Sequence, residues 1–133
     1  MTFLLKAFML REMKKALLII SHGSRRSASN EEVVALVSRI RGQSEGLIVA
    51  HAFLEIAEPT VSQTINRLVE SGVTGIQVFP HFLAAGTHVS KDIPREVDLA
   101  RTEHPDIQFN ILPHLGALKE LPSLILETTQ SKS

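Results

Sequence analysis

The side chains of this chain that could hold a metal ion or move protons are its 6 histidines and 14 carboxylates, because it contains no cysteine. Disulfides, Fe–S clusters, thiolate zinc sites and cysteine nucleophiles are thereby excluded. His22 lies in Ser21-His22-Gly23-Ser24-Arg25-Arg26, directly after an apolar run, and Gly23 lets the backbone turn sharply there. The position suits a metal ligand or general base, or an imidazole that hydrogen-bonds a loop carbonyl. In an Arg-His-Gly phosphoryl-accepting motif arginine precedes the histidine; Ser21 stands in that place here, so that motif's phosphate clamp is missing. Glu55 follows a second apolar run and reads as a functional or a solvated carboxylate, whereas Glu58 suits a helix N-terminus. His88 sits in the longest connection, after Ala84-Ala85-Gly86, whose small side chains leave room for a flat ligand. His81, after Pro80, suits a cleft wall. Arg25 and Arg26 suit carboxylates or phosphates, or form a solvated pair at a helix start. His51 shares a strand face with Phe53 and Glu55 and reads as a satisfied, partly buried histidine. His104 reads as surface, and His114 stays open between the two. Neither G-x-G-x-x-G nor a P-loop is present.

The elements that must position these groups follow from periodicity. Apolar runs at 16–21, 47–53, 75–79 and 107–112 read as strands, the first continuous enough to be buried on both faces. Ser29 and Glu32 have capping-box spacing before a helix with Val33, Leu36, Val37 and Ile40 on one face, closed by Gly42. Pro59 reads as the first turn of a second helix, carrying Val61, Ile65, Leu68 and Val69 and stopping at Gly72. A third helix is expected over 92–103 with Pro94 in its first turn, and a fourth over 117–128 with Pro122 as an irregularity. Alternating strands and helices predict an α/β domain, doubly wound: a parallel four-stranded sheet flanked by helices on both faces. Ligands of such sheets sit outside the carboxyl ends of the strands. Those four ends carry His22, Glu55, His81 with His88, and His114, which predicts an imidazole-lined cleft.

With 133 residues there is room for one domain. Lys plus Arg and Asp plus Glu are each 14, so a zero net charge gives no general attraction to nucleic acid or to an anionic membrane. Trp and Tyr are absent, and no apolar run reaches the ~20 residues of a membrane-spanning helix. Residues 1–12 lack a small-residue cleavage site and are expected to be an extension ahead of a single domain over 13–130, with Met13 as a natural start; a cytoplasmic location is expected.

Three blocks together resemble a known family: Ser21-His22-Gly23-Ser24-Arg25; Ala52-Phe53-Leu54-Glu55 with Pro59; and Phe79-Pro80-His81-Phe82-Leu83-Ala84-Ala85-Gly86-Thr87-His88-Val89 followed by Asp92-Ile93-Pro94. In this order and spacing they are similar to the small class II chelatases, the CbiX/SirB group of sirohydrochlorin cobaltochelatases and ferrochelatases. The resemblance spans about 14–126 and implies the same parallel-sheet fold. It implies that His22 and His88 bind the metal, with Glu55 as third ligand or proton handler. It implies insertion of Co2+, Fe2+ or Ni2+, as substrate, into a sirohydrochlorin-type tetrapyrrole in cobalamin or siroheme biosynthesis. No organic cofactor is implied, and a single copy of the domain implies a homodimer. Ser24, Arg25, Arg26, His81 and Gly86 are then the expected tetrapyrrole cleft. A non-catalytic carrier of tetrapyrrole or metal would use the same residues.

Overall fold

Ala16-Leu17-Leu18-Ile19-Ile20 has no polar side chain to turn toward water, so it is stable as a strand only when covered on both faces. The computed structural model, which describes residues 14–130, places it so. The proposed extension 1–12 and the proposed start at Met13 lie outside the described residues. Strand β1 (Lys15–Ser21) is central in a four-stranded sheet of order β2-β1-β3-β4, with β2 (Ile48–Phe53), β3 (Gly75–Pro80) and β4 (Gln108–Ile111). Every pairing is parallel, as the alternation of elements requires.

Side chains of alternate parity build two cores. Leu18, Ile20, Ile76, Val78 and Phe109 face helices α2 (Val61–Glu70) and α3 (Ile93–Glu103) through Val61, Ile65, Leu68, Ile93 and Val97. Ile19 and Val49 face α1 (Ser27–Gln43) through Val37. Each fully buried Leu or Ile contributes about 1.5–3 kcal/mol. The sheet is therefore covered on both faces, as predicted.

Helix ends are where the structure departs from expectation. The Ser29–Glu32 capping box does not form: α1 begins earlier, at Ser27, with Arg26 as an N-cap that makes no side-chain cap bond. The reason lies in the preceding turn. Asn30 accepts from the Ser24 N–H at 2.9 Å and donates to the Ser24 carbonyl at 2.8 Å, while the Ser24 hydroxyl accepts from the Arg26 N–H at 3.0 Å. Gly42 does not close α1; the helix runs through it to Gln43, and Ser44 bonds back to Arg41. Pro59 precedes α2 rather than opening it. Thr60 is the N-cap, in a reciprocal box with Gln63. Before α3, His88–Asp92 forms a π-helical turn. Pro94 has no N–H to give to Ser90, and its ring would strike that carbonyl in a regular helix; the wider turn relieves both. The expected last helix is shorter: a 3-10 turn (Leu115–Ala117) precedes α4 (Leu121–Glu127), and Pro122 lies in its first turn rather than interrupting it.

The outer strands carry a further detail. Arg41, in the last turn of α1, donates to the Val49 carbonyl from Nε at 3.2 Å and Nη2 at 2.8 Å. Thr64 donates to the His51 carbonyl at 3.0 Å, and the Phe53 N–H is taken by Pro59. On β4, Arg101 of α3 donates to the Phe109 carbonyl at 3.0 Å. No helix among the described residues is long and apolar enough to cross a membrane.

Candidate metal centre

His22 directly follows β1, Glu55 lies just past β2, and His88 opens the π-turn after β3. Because β1 lies between β2 and β3, the parallel sheet delivers these three positions to one edge. One ligand atom from each of His22, Glu55 and His88 lies within 4.8 Å of the other two, the one such cluster among the described residues. His22 Nε2 is 2.7 Å and His88 Nε2 3.7 Å from Glu55 Oε1, and the two imidazole centroids are 4.7 Å apart. The side chains are 43%, 52% and 35% exposed for His22, Glu55 and His88, so the cluster is open on one side.

The hydrogen bonds assign the protons. His22 Nδ1 lies 2.9 Å from the Gly23 carbonyl, which can only accept, so Nδ1 carries hydrogen. His88 Nδ1 lies 2.7 Å from Asp92 Oδ2, and Asp92 Oδ1 also accepts from Arg95 at 3.1 Å. Both imidazoles thus have Nδ1 pinned as donor and turn Nε2 toward Glu55, the arrangement that outer partners impose on metal-binding histidines. With His22 Nδ1–H already donating, its other nitrogen, Nε2, lies 2.7 Å from Glu55 Oε1. The loop-carbonyl bond and the exposed ring nitrogen are two ends of the same imidazole.

The backbone holds this geometry. Leu54 N–H donates to the Ser21 carbonyl at 2.8 Å and Glu55 N–H to the His22 carbonyl at 3.0 Å, continuing the β1–β2 ladder past the strands. Gly23 has φ +99°, and a Cβ there would lie 2.0 Å from the Glu55 carbonyl oxygen. Glycine is required by this close approach as well as by the turn.

The other expected residues divide. Arg25 and Arg26, in the turn that follows His22, are exposed, and neither is in an ion pair among the described residues. Gly86 faces open space, with nothing within 4 Å of a built Cβ. Ser24 has its backbone and hydroxyl engaged in the turn before α1. His81 is not in the cluster; its Nδ1 bonds buried Ser21 Oγ at 3.0 Å, beneath the β1 end. His51 packs edge-on against Phe53 at 5.6 Å, and His104 bonds Asn66 at 3.1 Å. His114 is the N-cap of the 3-10 turn and lies outside the cluster. A concavity of about 620 Å³ runs along His51, Glu58, Arg67 and Glu70; none of the three cluster residues lines it, and it is mixed in charge. Asp92 is the one partner of the cluster that the sequence reading overlooks.

Burial lowers the pKa of His81, and burial with the nearby Arg41 and Arg67 charges lowers that of His51. Protons then bind the unfolded chain more tightly than the folded one. The stabilisation is present in full above 6.5, the ordinary histidine value, and is lost as pH falls below it. Thermal melts followed by circular dichroism should show Tm falling from pH 7.5 to 5. A flat profile would mean these rings titrate as they do in the unfolded chain.

The CbiX family model matches residues 16–132. A sirohydrochlorin cobaltochelatase from Methanocaldococcus jannaschii is 37% identical over 90 residues, 68% of this chain and 63% of that protein. A sirohydrochlorin cobaltochelatase from Methanosarcina acetivorans is 37% identical over 124 residues, 88% of this chain and 95% of that protein. Among solved structures, the sirohydrochlorin chelatase SirB from Bacillus subtilis subspecies spizizenii in complex with cobalt superposes with a TM-score of 0.80 at 28% identity, covering 89% of this chain and 50% of that one. The chain thus spans less than two thirds of several relatives it matches, the first of these included. Matched along nearly all of its described length, with His22, Glu55 and His88 gathered at one sheet edge, the chain belongs to the CbiX family.

Proposed function

We propose that this chain inserts a divalent metal ion, Co2+ or Fe2+ and with Ni2+ as a further candidate, into sirohydrochlorin or a closely related tetrapyrrole. The observation that carries the reading is the open His22–Glu55–His88 cluster. An enzyme that must surrender its ion needs few ligands, vacant positions and no thiolate. Two imidazoles and a carboxylate on an exposed rim meet that need. The relatives' activities, cobalt and iron chelation of sirohydrochlorin, support the same reading.

In this reading His22 Nε2, His88 Nε2 and Glu55 receive the ion, the imidazoles in their neutral form. As the ion passes to the four pyrrole-type nitrogens, the macrocycle loses two protons. His22 Nε2 and Glu55 Oε1, 2.7 Å apart, are placed to take one of them as the ion leaves, and the other passes to water on the open side of the cluster. Asp92 keeps His88 oriented throughout. Arg25 and Arg26 meet the peripheral carboxylates of the macrocycle, with Ser24, His81 and Gly86 toward the cleft. The reaction needs no organic cofactor. One domain supplies one wall for a large flat substrate, so a homodimer is proposed to close the other side. Nucleic acid and membrane have no part in this reading, and the reaction is assigned to the cytoplasm.

The test mixes pure protein with sirohydrochlorin and Co2+, Fe2+ or Ni2+ in parallel and follows the macrocycle's absorbance. Acceleration over the spontaneous rate is expected with cobalt or iron. Tight binding of macrocycle or metal without acceleration would replace the enzyme by a carrier.

A further inference from the structure

The loop after β2 holds a residue out of keeping with its backbone. Ile56 has φ +75°, and the Ala57 N–H donates to the Glu55 carbonyl at 2.8 Å. A bond that skips one residue around such a φ is a γ-turn of the rare, strained hand. A β-branched side chain is poorly suited to it, and glycine would adopt it freely. Nor does packing hold Ile56 there, since it is 56% exposed. Strain of this kind clusters where chains bind ligands, and this turn adjoins Glu55.

A second exposed apolar side chain follows the strand on the other side of β1. Leu83, after β3, is 72% exposed. Its backbone is firmly placed: the Gly116 N–H donates to the Phe82 carbonyl at 3.1 Å, and a Cβ on Gly116 would fall 1.7 Å from the Leu83 carbonyl oxygen. The Phe82 ring lies 5.9 Å from that of His88. In the order β2-β1-β3, Ile56 and Leu83 follow the strands on either side of β1, which leads into His22. Two strand spacings, about 10 Å, separate those strands, the scale of a flat macrocycle.

We propose that Ile56 and Leu83 are the apolar contacts that seat the face of the tetrapyrrole over the metal centre, a role that rests on the chelatase reading above. The ring face is apolar while the periphery is anionic, so an apolar seat flanked by Arg25 and Arg26 matches both parts.

Ile56→Gly removes the side chain and the strain together, which separates the two roles. Its Tm should equal or exceed wild type, and its affinity for Co2+ alone should be unchanged. Its affinity for sirohydrochlorin, read from macrocycle fluorescence, should fall about 10-fold, the scale of one lost apolar contact. Leu83→Ser should weaken the same binding, and Ile56→Leu should retain most of it. Wild-type affinity for the macrocycle in both Ile56→Gly and Leu83→Ser would overturn the proposal while leaving the chelatase reading intact. Loss of Co2+ binding in Ile56→Gly would overturn it too, by showing that the turn acts through Glu55. A wild-type protein that neither binds nor metallates sirohydrochlorin would overturn both readings.

Discussion

Replacing His88 by alanine is expected to slow cobalt insertion by about 100-fold or more, and His22→Ala by a similar factor. Loss of an outer partner of a metal-binding histidine already costs about 10–100-fold, and here the ligand itself is removed from a set of three. Each deletion also leaves a stranded group. Without His22, Glu55 loses its 2.7 Å partner; without His88, Asp92 keeps Arg95 alone. Asp92→Asn should be milder, about 10-fold, because an amide oxygen can still accept from His88 Nδ1–H while its charge is gone. Single-turnover absorbance of the macrocycle gives the rates, and circular dichroism shows whether each variant is folded. Wild-type insertion by both histidine variants would sink the site assignment.

The second large effect is expected at a residue with no side chain. Gly23→Ala should destabilise the domain by about 2–4 kcal/mol, from the left-handed backbone and from overpacking together. The obstacle is the Glu55 carbonyl, 2.0 Å from the new Cβ, and it is backbone held by its own bonds to His22 and Ala57. No rotamer change can relieve it. The ends of β1 and β2 must therefore separate, so Co2+ binding should weaken along with stability. Gly42→Ala is the contrast: it lies inside α1 with nothing within 4 Å, and should raise stability by about 0.5–1 kcal/mol. Urea melts of both variants decide the matter; equal stabilities would contradict the close approach.

The sheet was readable because burial on both faces leaves continuous apolar runs, and because helices between them force parallel pairing. His22, Glu55 and His88 were readable because parallel strands deliver their carboxyl ends to one edge. What escaped depends on contacts that periodicity does not encode. Asn30 is helical by pattern, yet its amide grips Ser24 and moves the start of α1. Thr60 and Gln63 carry capping-box spacing, but Pro59 draws the helix start to itself. His88 and Asp92 are four apart, a spacing that makes neighbours on helical backbone. Placing the third helix's start at Asp92 hides the pair, because the π-turn His88–Asp92 precedes it. The left-handed backbone at Ile56 has no sequence signal at all, since nothing about isoleucine announces it.

The caps on the outer strands bear on how copies of the chain can meet. On β2 the outward Val49 and His51 carbonyls and the Phe53 N–H are already taken, and on β4 the Phe109 carbonyl is held by Arg101. An incoming strand would have to evict Arg41 at the β2 edge, or Arg101 at the β4 edge, before it could add to the ladder. The two edges of the sheet are therefore poor templates for strand-by-strand growth.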